Sequence, residues 1–392
     1  MSSIDQAWRD YQDGIDRLRR RLLALDAAAD EDGAAQAHRL LLEAQAVAYN
    51  LVIAPDPQRP RLLLDHVFAP GIYDWLLPNP DFVYRYAFLD GRGRYRLAGA
   101  RGSSAFLDVQ TISGFFGDPD LKLIDSHPLD PLTRGDGTLD IQFSATPPEN
   151  GAWIPLAADA INTIILREAF TDWTDEAPSS LRIAVMSPRA ARDDDATAMV
   201  RKLGAARRMM EFCIGTFGPE FAADIVSRAG ENRFLHVETS RDEDASNPGV
   251  AYIPAAYRLA PGEALAIEFE LPRARYWSIH LADRWSHTID CSDHQSSLNG
   301  TQAHVDVDNR VRIVIAERDP GFANWLDPAG TPAGLMLLRW YGADRAPVPS
   351  VKKLPLDRLS EWLPAETMRI TPEARATVIA ARRAAIAARY ER

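Results

Sequence analysis

The chain contains 392 residues, a length that corresponds to two or three structural units. Its 55 acidic residues outnumber its 44 basic residues, and the net charge of −11 argues against a nonspecific binder of nucleic acid or of anionic membranes. The composition, 46% hydrophobic and 25% charged, is that of a globular protein. Its two cysteines are too few for a disulfide framework or a four-cysteine zinc site.

The N-terminal residues show no targeting signal. Charged residues occur throughout residues 1–16, and no apolar segment of the signal-peptide type follows them. The apolar run Leu40–Ile53 is interrupted by polar residues and is shorter than the roughly 18 residues of a membrane span. We therefore expect a cytoplasmic protein that has neither a nucleic acid nor a membrane as its partner.

Residues 1–54 are predicted to form a helical N-terminal segment. Apolar residues recur there at alternating spacings of three and four, the period with which one helix packs against another. This apolar seam consists of Trp8, Tyr11, Ile15, Leu18, Leu22 and Leu25. A glycine-containing acidic break at residues 30–33 separates it from a second helical run. The interpretation is a helical hairpin that packs on its own chain, and the alternative is a homodimer contact through these helices.

Four further units follow along the chain. Residues 55–190 are expected to form a first β-rich domain, because proline and glycine become frequent and the apolar period falls towards two. Residues 191–232 are predicted to be a helical connector. Residues 233–349 contain short alternating strands and are predicted to form a C-terminal β-sandwich domain. Residues 350–392 are predicted to be a helical tail.

The predicted fold class is mainly β with α segments. We expect antiparallel β-sandwich or jelly-roll-like domains, with a helical N-terminus, a middle helix and a C-terminal helix, and no βαβ repeat of the Rossmann type. The last helix is expected to begin at Pro372, because Thr371 supplies a capping hydroxyl. In addition, Tyr84–Asp90 and Trp277–Asp283 both place an aromatic strand before an aspartate turn, which raises the hypothesis of a duplicated β-domain.

Several common catalytic motifs are absent from the sequence. There is no P-loop, no Gly-x-Ser-x-Gly nucleophile elbow and no His-Glu-x-x-His zinc helix. Polar and aromatic residues concentrate instead in residues 276–308, which contain four of the eight histidines.

His280 and Asp283 are the candidate catalytic residues of that segment. His280 lies within a predicted strand and Asp283 just after it, so an inward-facing His280 could act as a general base whose tautomer Asp283 fixes. The same residue types could instead ligate a divalent metal, although no cofactor is predicted. The simplest alternative is that both residues are hydrogen-bonded parts of a turn-rich region.

A second polar-aromatic cluster lies in residues 319–330, a loop before the strand that carries Arg339. In the substrate-binding hypothesis Trp325 and a second tryptophan form the walls of the site, and Arg339 holds a carboxylate or sulfate with its planar fork of donors. The expected substrate-binding residues are Trp285, Asn299, Asn324, Trp325, Asp327 and Arg339. The alternative is that the loop bonds its own backbone and that Arg339 pairs with Asp327.

Four segments in the C-terminal half carry a family resemblance: Ser296–Ala303, Asp306–Ala316, Asp319–Gly330 and Met336–Trp340. Their order within residues 235–345 resembles the bacterial family called domain of unknown function 1214. Upstream, Asn79–Tyr86 and Tyr95–Gly102 are similar to a region of some members. The resemblance implies a β-sandwich of jelly-roll-like architecture. It brings no established catalytic residues, so no residue role is carried over.

Two hypotheses about function remain open. The first is an enzyme, a hydrolase or lyase, that acts on a small anionic lipid, aromatic or sugar derivative. The second is a non-catalytic ligand-binding or assembly protein with a jelly-roll core. Both expect a small-molecule ligand. Both also expect the histidine-rich segment (residues 276–308) and the Trp325 loop (residues 319–330) to meet at one pocket.

Overall fold

The structure, a computed structural model, describes residues 2–64, 74–186, 195–235 and 249–390. Two β-sandwiches and a layer of helices make up this part of the chain. The predicted fold class is therefore confirmed: the protein is rich in mostly antiparallel β-structure, with helices at its N-terminus, in its middle and at its C-terminus.

The first sandwich consists of strands β1–β9. Their bounds are β1 Leu63–Leu64, β2 Phe82–Asp90, β3 Arg94–Ala100, β4 Phe106–Ser113, β5 Lys122–Pro128, β6 Thr138–Ser144, β7 Ala152–Pro155, β8 Ile161–Ala169 and β9 Ser180–Val185. The front sheet has the order β1-β2-β8-β4-β5, and the back sheet has the order β7-β6-β3-β9. Apolar residues at every second position, such as Leu89, Val109 and Leu166, fill the space between these two sheets.

The second sandwich consists of strands β10–β18. Their bounds are β10 Arg233–Phe234, β11 Val250–Arg258, β12 Glu263–Glu270, β13 Tyr276–Asp283, β14 Ser297–Asn299, β15 Arg310–Ala316, β16 Trp325–Leu326, β17 Ala333–Tyr341 and β18 Ser350–Pro355. The front sheet has the order β10-β11-β17-β13-β14, and the back sheet has the order β16-β15-β12-β18. Because β18 pairs with β12, this sandwich extends beyond residue 349; the consecutive exposed lysines Lys352 and Lys353 hide the strand pattern there.

The two sandwiches have the same topology. Each strand of the second sandwich occupies the place of the strand nine numbers earlier in the first, and in both the only parallel pair described joins the equivalent strands β6–β7 and β15–β16. This is the arrangement of a duplicated domain. The equivalent of β2 is β11, however, and not β13, so the sequence echo between Tyr84–Asp90 and Trp277–Asp283 aligns strands that occupy different places in the sheet.

Six α-helices are described, and the first three of them form a layer that packs on the front sheet of the first sandwich. Their bounds are α1 Ser3–Leu23, α2 Glu31–Ala48, α3 Ala196–Phe217, α4 Pro219–Ala229, α5 Leu359–Trp362 and α6 Pro372–Tyr390. Leu18 and Leu22 of the predicted seam are buried in a cluster with α2, α3 and outward-facing residues of β2. The seam is thus used within the chain, whereas a homodimer stays a prediction. None of the helices in the described ranges is long and apolar enough to cross a membrane.

The outer face of the first front sheet is covered by two different partners. At one end Tyr86 and Phe88 of β2 contact the helical layer. At the other end Phe82 and Phe106 pack against Tyr276 of the second front sheet, with ring centroids 5.4 and 5.8 Å apart. The two sandwiches therefore meet through the outer faces of their front sheets, and residues that would face water in an isolated sandwich become buried at this interface.

Helix α6 connects both sandwiches rather than forming a free tail. It begins at Pro372 as predicted, and Thr371 Oγ1 accepts a hydrogen bond from Ala374 N at 3.2 Å. Arg382 donates to Cys291 O at 2.8 Å in the second sandwich, and Arg389 donates to Pro80 O at 3.1 Å beside the first. These bonds fix the relative position of the two sandwiches.

Prediction for the helical layer: Leu40→Ala should lower the free energy of unfolding by about 2–5 kcal/mol, because Leu40 is fully buried and its removal leaves a cavity. Leu42 lies on the same helix with 67% of its surface exposed, so Leu42→Ala should change the free energy by less than about 0.5 kcal/mol. Urea denaturation followed by circular dichroism measures both. Equal effects of the two substitutions would contradict the described packing of α2.

Candidate functional site

A small cavity lies at the interface of the two sandwiches. Its volume is about 30 Å³, enough for a small polar ligand group or a few waters. Both sandwiches contribute to its walls. The walls include four tyrosines and two arginines: Tyr84, Arg167, Tyr252, Tyr276, Arg339 and Tyr341. Concave sites at domain interfaces with a few convergent polar groups are typical of ligand binding, so this cavity is the candidate site.

Arg339 is the most deeply buried cation in the cavity wall. It lies on β17, and 8% of its surface is exposed. Its Nη1 donates to Nδ1 of His280 at 2.8 Å, and its Nη2 donates to Leu77 O at 3.0 Å. The guanidinium carbon lies 5.6 Å from the ring centroid of Tyr252. Within the described ranges no carboxylate lies within 4.0 Å of this guanidinium, so its charge is solvated by neutral groups alone.

The carbonyl that Leu77 presents to Arg339 comes from a strained turn. Leu76 and Leu77 both have positive φ, 73° and 54°, a conformation that costs energy in residues other than glycine. The hydrogen bond from Leu77 N to Ser286 O, at 3.2 Å, holds this turn against the second sandwich. Backbone strain is thus retained where it aims a carbonyl at the buried guanidinium.

Arg167 is the second cation of the cavity. It lies on β8, where it is paired in register with Tyr84 of β2 and Asp108 of β4. It is half-buried and makes neither a hydrogen bond nor an ion pair with any other residue of the described chain. Burial raises the pKa of Asp108, an effect that the hydrogen bond from Tyr341 and the charges of Arg275 and Arg167 only partly offset. Asp108 is therefore near Arg167 without neutralising it through contact.

Tyrosine–carboxylate hydrogen bonds close the cavity across the interface. Tyr276 donates to Asp81 Oδ2 at 2.5 Å, and Tyr341 donates to Asp108 Oδ2 at 2.6 Å. In each pair the tyrosine belongs to the second sandwich and the aspartate to the first. Burial raises the pKa of Asp81, although the bonds from Tyr276 and Asn299 lower it. These bonds fix two of the tyrosine walls, while the hydroxyl of Tyr252 has no hydrogen bond to another described residue.

His280 accepts a hydrogen bond from Arg339 and so fixes the position of its guanidinium. It is completely buried, and burial, followed by the charge of Arg339, holds the pKa of His280 well below its usual value. Because an arginine can only donate, Nδ1 of His280 must accept, and the ring proton therefore lies on Nε2. Nε2 is buried and has no hydrogen-bond partner in the described chain. His280 is thus a neutral acceptor for Arg339, and its one lone pair is already in use.

Asp283 does not orient His280, which corrects the expected catalytic pair. Residues three apart on a strand point to opposite faces, and Asp283 lies at the start of the next turn. Its Oδ1 accepts from the backbone N–H groups of Trp285 and His287 at 2.8 and 2.9 Å, and its Oδ2 lies 3.1 Å from Nδ1 of His287. Nε2 of His287 lies 2.6 Å from Oε2 of Glu43 on α2.

The Glu43–His287–Asp283 group links the helical layer to the second sandwich. Burial lowers the pKa of His287, but the hydrogen bonds with Asp283 and Glu43 outweigh it and raise the pKa to about 9. His287 is therefore a buried cation between two carboxylates at neutral pH. Glu43 could not be predicted as a partner of His287, because it lies more than two hundred residues away and its spacing on the helix indicates only an ion pair with Arg39.

The remaining predicted substrate-binding residues lie away from the cavity. Trp285 is buried in the helical-layer cluster. Trp325 donates to Ala316 O at 2.9 Å, and Asn324 donates to His304 O at 2.7 Å, both at the back sheet of the second sandwich. Asp327 lies 2.7 Å from Nδ1 of His294, not beside Arg339. The histidine-rich segment and the Trp325 loop therefore do contact each other, through His294–Asp327 and Asn324–His304, but this contact includes neither His280 nor Arg339 and lies away from the cavity, so the expectation of one shared pocket is corrected.

Asn299 is connected to the cavity indirectly. It donates to Asp81 Oδ1 at 2.9 Å, and Asp81 in turn accepts from the cavity residue Tyr276. Of the predicted residues, Arg339 lines the cavity and His280 lies directly behind it. Tyr84, Arg167 and Tyr252 were not among the predicted site residues; the signal in the sequence was an arginine near the end of each of two apolar strands.

Metal-ligating side chains are not grouped in the described residues. Residues 2–64, 74–186, 195–235 and 249–390 contain no cluster of three or more histidine, cysteine, aspartate or glutamate side chains that could hold a metal ion. Cys213 and Cys291 are both buried free thiols.

Comparisons with known proteins give a family match over part of the chain and a similar solved structure. Residues 257–345 match the model of the family described as "Protein of unknown function (DUF1214)". The crystal structure of an uncharacterized protein from Burkholderia cenocepacia is similar, with 27% identity, a TM-score of 0.80, and coverage of 90% of this chain and 98% of that chain. The VPA0106 protein from Vibrio parahaemolyticus matches at 13% identity over 80% of this chain and 96% of its own, with a TM-score of 0.47. No curated protein matches the chain.

Prediction for the buried histidine: stability should fall as the pH rises from about 6.5 through about 9. The pKa of His287 in the folded protein is raised to about 9, so its contribution is fully present below the unfolded pKa of about 6.5 and is lost as the folded group deprotonates. The contribution is on the order of 3 kcal/mol, measured as the change in free energy of unfolding by urea denaturation at each pH.

The control for this prediction is His287→Gln, which keeps hydrogen-bonding groups but cannot titrate. This variant should lose most of the decrease in stability between pH 6.5 and pH 9. The same decrease in the variant and in the natural protein would show that other groups cause it.

Proposed function

We propose that the protein, whose residues 257–345 match the family described as domain of unknown function 1214, binds a small organic anion in the cavity between its two sandwiches. One observation carries this proposal: the buried guanidinium of Arg339 lines a tyrosine-walled cavity and has no carboxylate partner among the described residues. Arg339 is the anchor for the anion, and His280 is its positioning residue.

The physical reason is the cost of burying a charge. A buried cation is unfavourable unless an opposite charge or several hydrogen bonds compensate it. Two of the five N–H groups of Arg339 are used by His280 and Leu77, which leaves three as donors. A carboxylate accepts two parallel hydrogen bonds from a guanidinium and supplies the missing charge. An anion in the cavity therefore completes an environment that the protein leaves incomplete.

The geometry favours binding over hydrolase or lyase chemistry. A general base needs a free lone pair within reach of the substrate, and the Nδ1 lone pair of His280 is occupied by Arg339. Asp283 is engaged with His287 on the side of the helical layer. These contacts support the second of the two hypotheses, a ligand-binding protein, although an anionic substrate would use the same anchor.

The proposal includes a cytoplasmic location. Cys213 and Cys291 are both unpaired, and a reducing compartment keeps thiols in that state.

Prediction for the anchor: small carboxylates, with acetate as the first probe, should raise the melting temperature of the natural protein in a concentration-dependent way. Arg339→Gln should weaken binding at least about tenfold, since it removes the charge that the carboxylate pairs with. Thermal shift and isothermal titration calorimetry measure the two effects. Arg339→Gln should still fold, because it removes a buried charge that has no opposite partner.

The matched control for the anchor is Arg273→Gln. Arg273 is an exposed arginine paired with Asp344 on the surface, so its replacement should leave binding unchanged. Equal loss in both variants would mean that the anion interacts with the overall charge. Turnover of a carboxylate substrate by the purified protein would overturn the non-catalytic function.

Prediction for the positioning residue: the affinity for acetate should stay constant between about pH 6 and about pH 8. His280 remains neutral over this range because burial and Arg339 depress its pKa, so it adds no positive charge on mild acidification. His280→Leu should reduce the affinity, since the Nη1 hydrogen bond that orients Arg339 is lost. Binding that strengthens as the pH falls through 6.5 would contradict a neutral His280.

A further inference from the structure

The two arginines of the cavity occupy equivalent positions in the duplicated topology. Arg167 is the third residue from the end of β8, and Arg339 is the third from the end of β17. Each is paired in register with a tyrosine on the neighbouring strand, Arg167 with Tyr84 of β2 and Arg339 with Tyr252 of β11. Both tyrosines are the third residue of their strand, and β2 and β11 are equivalent in the two sandwiches. Both arginines follow a leucine whose side chain faces the sandwich core. The cavity is therefore built from two copies of one tyrosine–arginine pair.

The contact between the sandwiches brings these two copies together. The sheet positions next to them hold Phe82 and Phe106 in the first sandwich and Tyr276 and Tyr341 in the second. These rings contact one another across the interface, with Phe106 and Tyr341 centroids 5.4 Å apart. Equivalent ends of the two front sheets thus face each other, and the cavity receives one cation from each side.

The two tyrosine–arginine pairs have different neighbours, and we therefore expect the two arginines to bind an anion with different strength. Next to Arg339 the neighbouring strand carries Ser278, whereas next to Arg167 it carries Asp108. Arg339 is held by His280 and the Leu77 carbonyl, and Arg167 has no such hydrogen bonds in the described chain. Arg339 is therefore the preoriented site, and Arg167 is the weaker, more adaptable one.

We propose, on the basis of the anion-binding function above, that the ligand is a short dicarboxylate that places one carboxylate on Arg339 and the other on Arg167. Two cations on opposite walls are compensated by two anionic groups separated by a short spacer, whereas a monocarboxylate compensates one. The cavity volume of about 30 Å³ is that of a few waters, so the ligand must be among the shortest dicarboxylates, and the side chain of Arg167 must move outward to admit it. The tyrosine rings enclose that spacer from the sides.

The test compares anions on the natural protein, Arg167→Gln, Arg339→Gln and the control Arg273→Gln by isothermal titration calorimetry. The anions are acetate, oxalate, malonate, succinate and inorganic phosphate. On the natural protein at least one dicarboxylate should bind at least about tenfold more tightly than acetate. Arg167→Gln should reduce that preference to about twofold, the statistical advantage of two identical ends, because the second carboxylate loses the cation that it pairs with.

The outcomes separate this inference from the proposed function. If acetate and every dicarboxylate bind equally, or if Arg167→Gln keeps the dicarboxylate preference, the two-anion ligand is overturned and anion binding at Arg339 stands. If phosphate binds more tightly than every dicarboxylate, the dicarboxylate is again overturned. If none of the anions binds the natural protein, the proposed function itself fails. Circular dichroism spectra of each variant establish that it is folded before titration.

Discussion

A buried guanidinium without an opposite charge is the constraint on which this account depends. Arg339 lies between two β-sandwiches and is hydrogen-bonded to a neutral imidazole and to a backbone carbonyl. Such an arrangement is unfavourable for an empty cavity, because neutral dipoles replace only part of the hydration of a cation. The side chain stays buried because of the position of its strand: β17 lies in the middle of its sheet, and the first sandwich covers the outer face of that sheet.

The outer faces of the front sheets explain why a polar site exists in an otherwise apolar interface. The helical layer covers one part of the first face with apolar contacts, and helix α6 holds the second sandwich over the other part. Aromatic rings such as Phe82 and Tyr276 make the closest contact between the sandwiches. The arginines lie one pleat further along the strands, where the rings hold the sheets apart and a cavity remains.

The duplicated topology places the same pair of residues twice, and the neighbours of the two pairs differ. A tyrosine–arginine pair at a fixed place in the sheet becomes a two-sided site when equivalent faces meet. His280 on β13 supports one arginine, whereas Asp108 on β4 lies beside the other. The Glu43–His287–Asp283 group is separate from the cavity: it attaches the helical layer to the second sandwich.

Local patterns in the sequence predict the elements, but the site depends on long-range contacts. The alternation of apolar residues predicts the strands, and Thr371 with Pro372 predicts the start of α6, because these signals act within a few residues. The pairing of Asp283 with His287 and Glu43 depends on the side of the strand and on a distant helix, which spacing does not report.

The sequence of an apolar strand also does not show which face of the sheet each side chain occupies. Arg339 can be recognised in the sequence as an unusual charge in a buried strand. Its expected partners Trp325 and Asp327 lie away from it, near the back sheet of the second sandwich. A loop that is close to β17 in sequence need not lie against the outer face of the front sheet. Arg167 and Tyr252 become neighbours of Arg339 only through the packing of two sandwiches, which no single strand encodes.

A crystal structure of the protein with its tightest-binding dicarboxylate tests the central claim most directly. The account predicts density for one ligand inside the interface, with one carboxylate within about 3 Å of the guanidinium of Arg339 and the other directed to Arg167. An empty or water-filled cavity, with the dicarboxylate bound only at the outer surface, would contradict it.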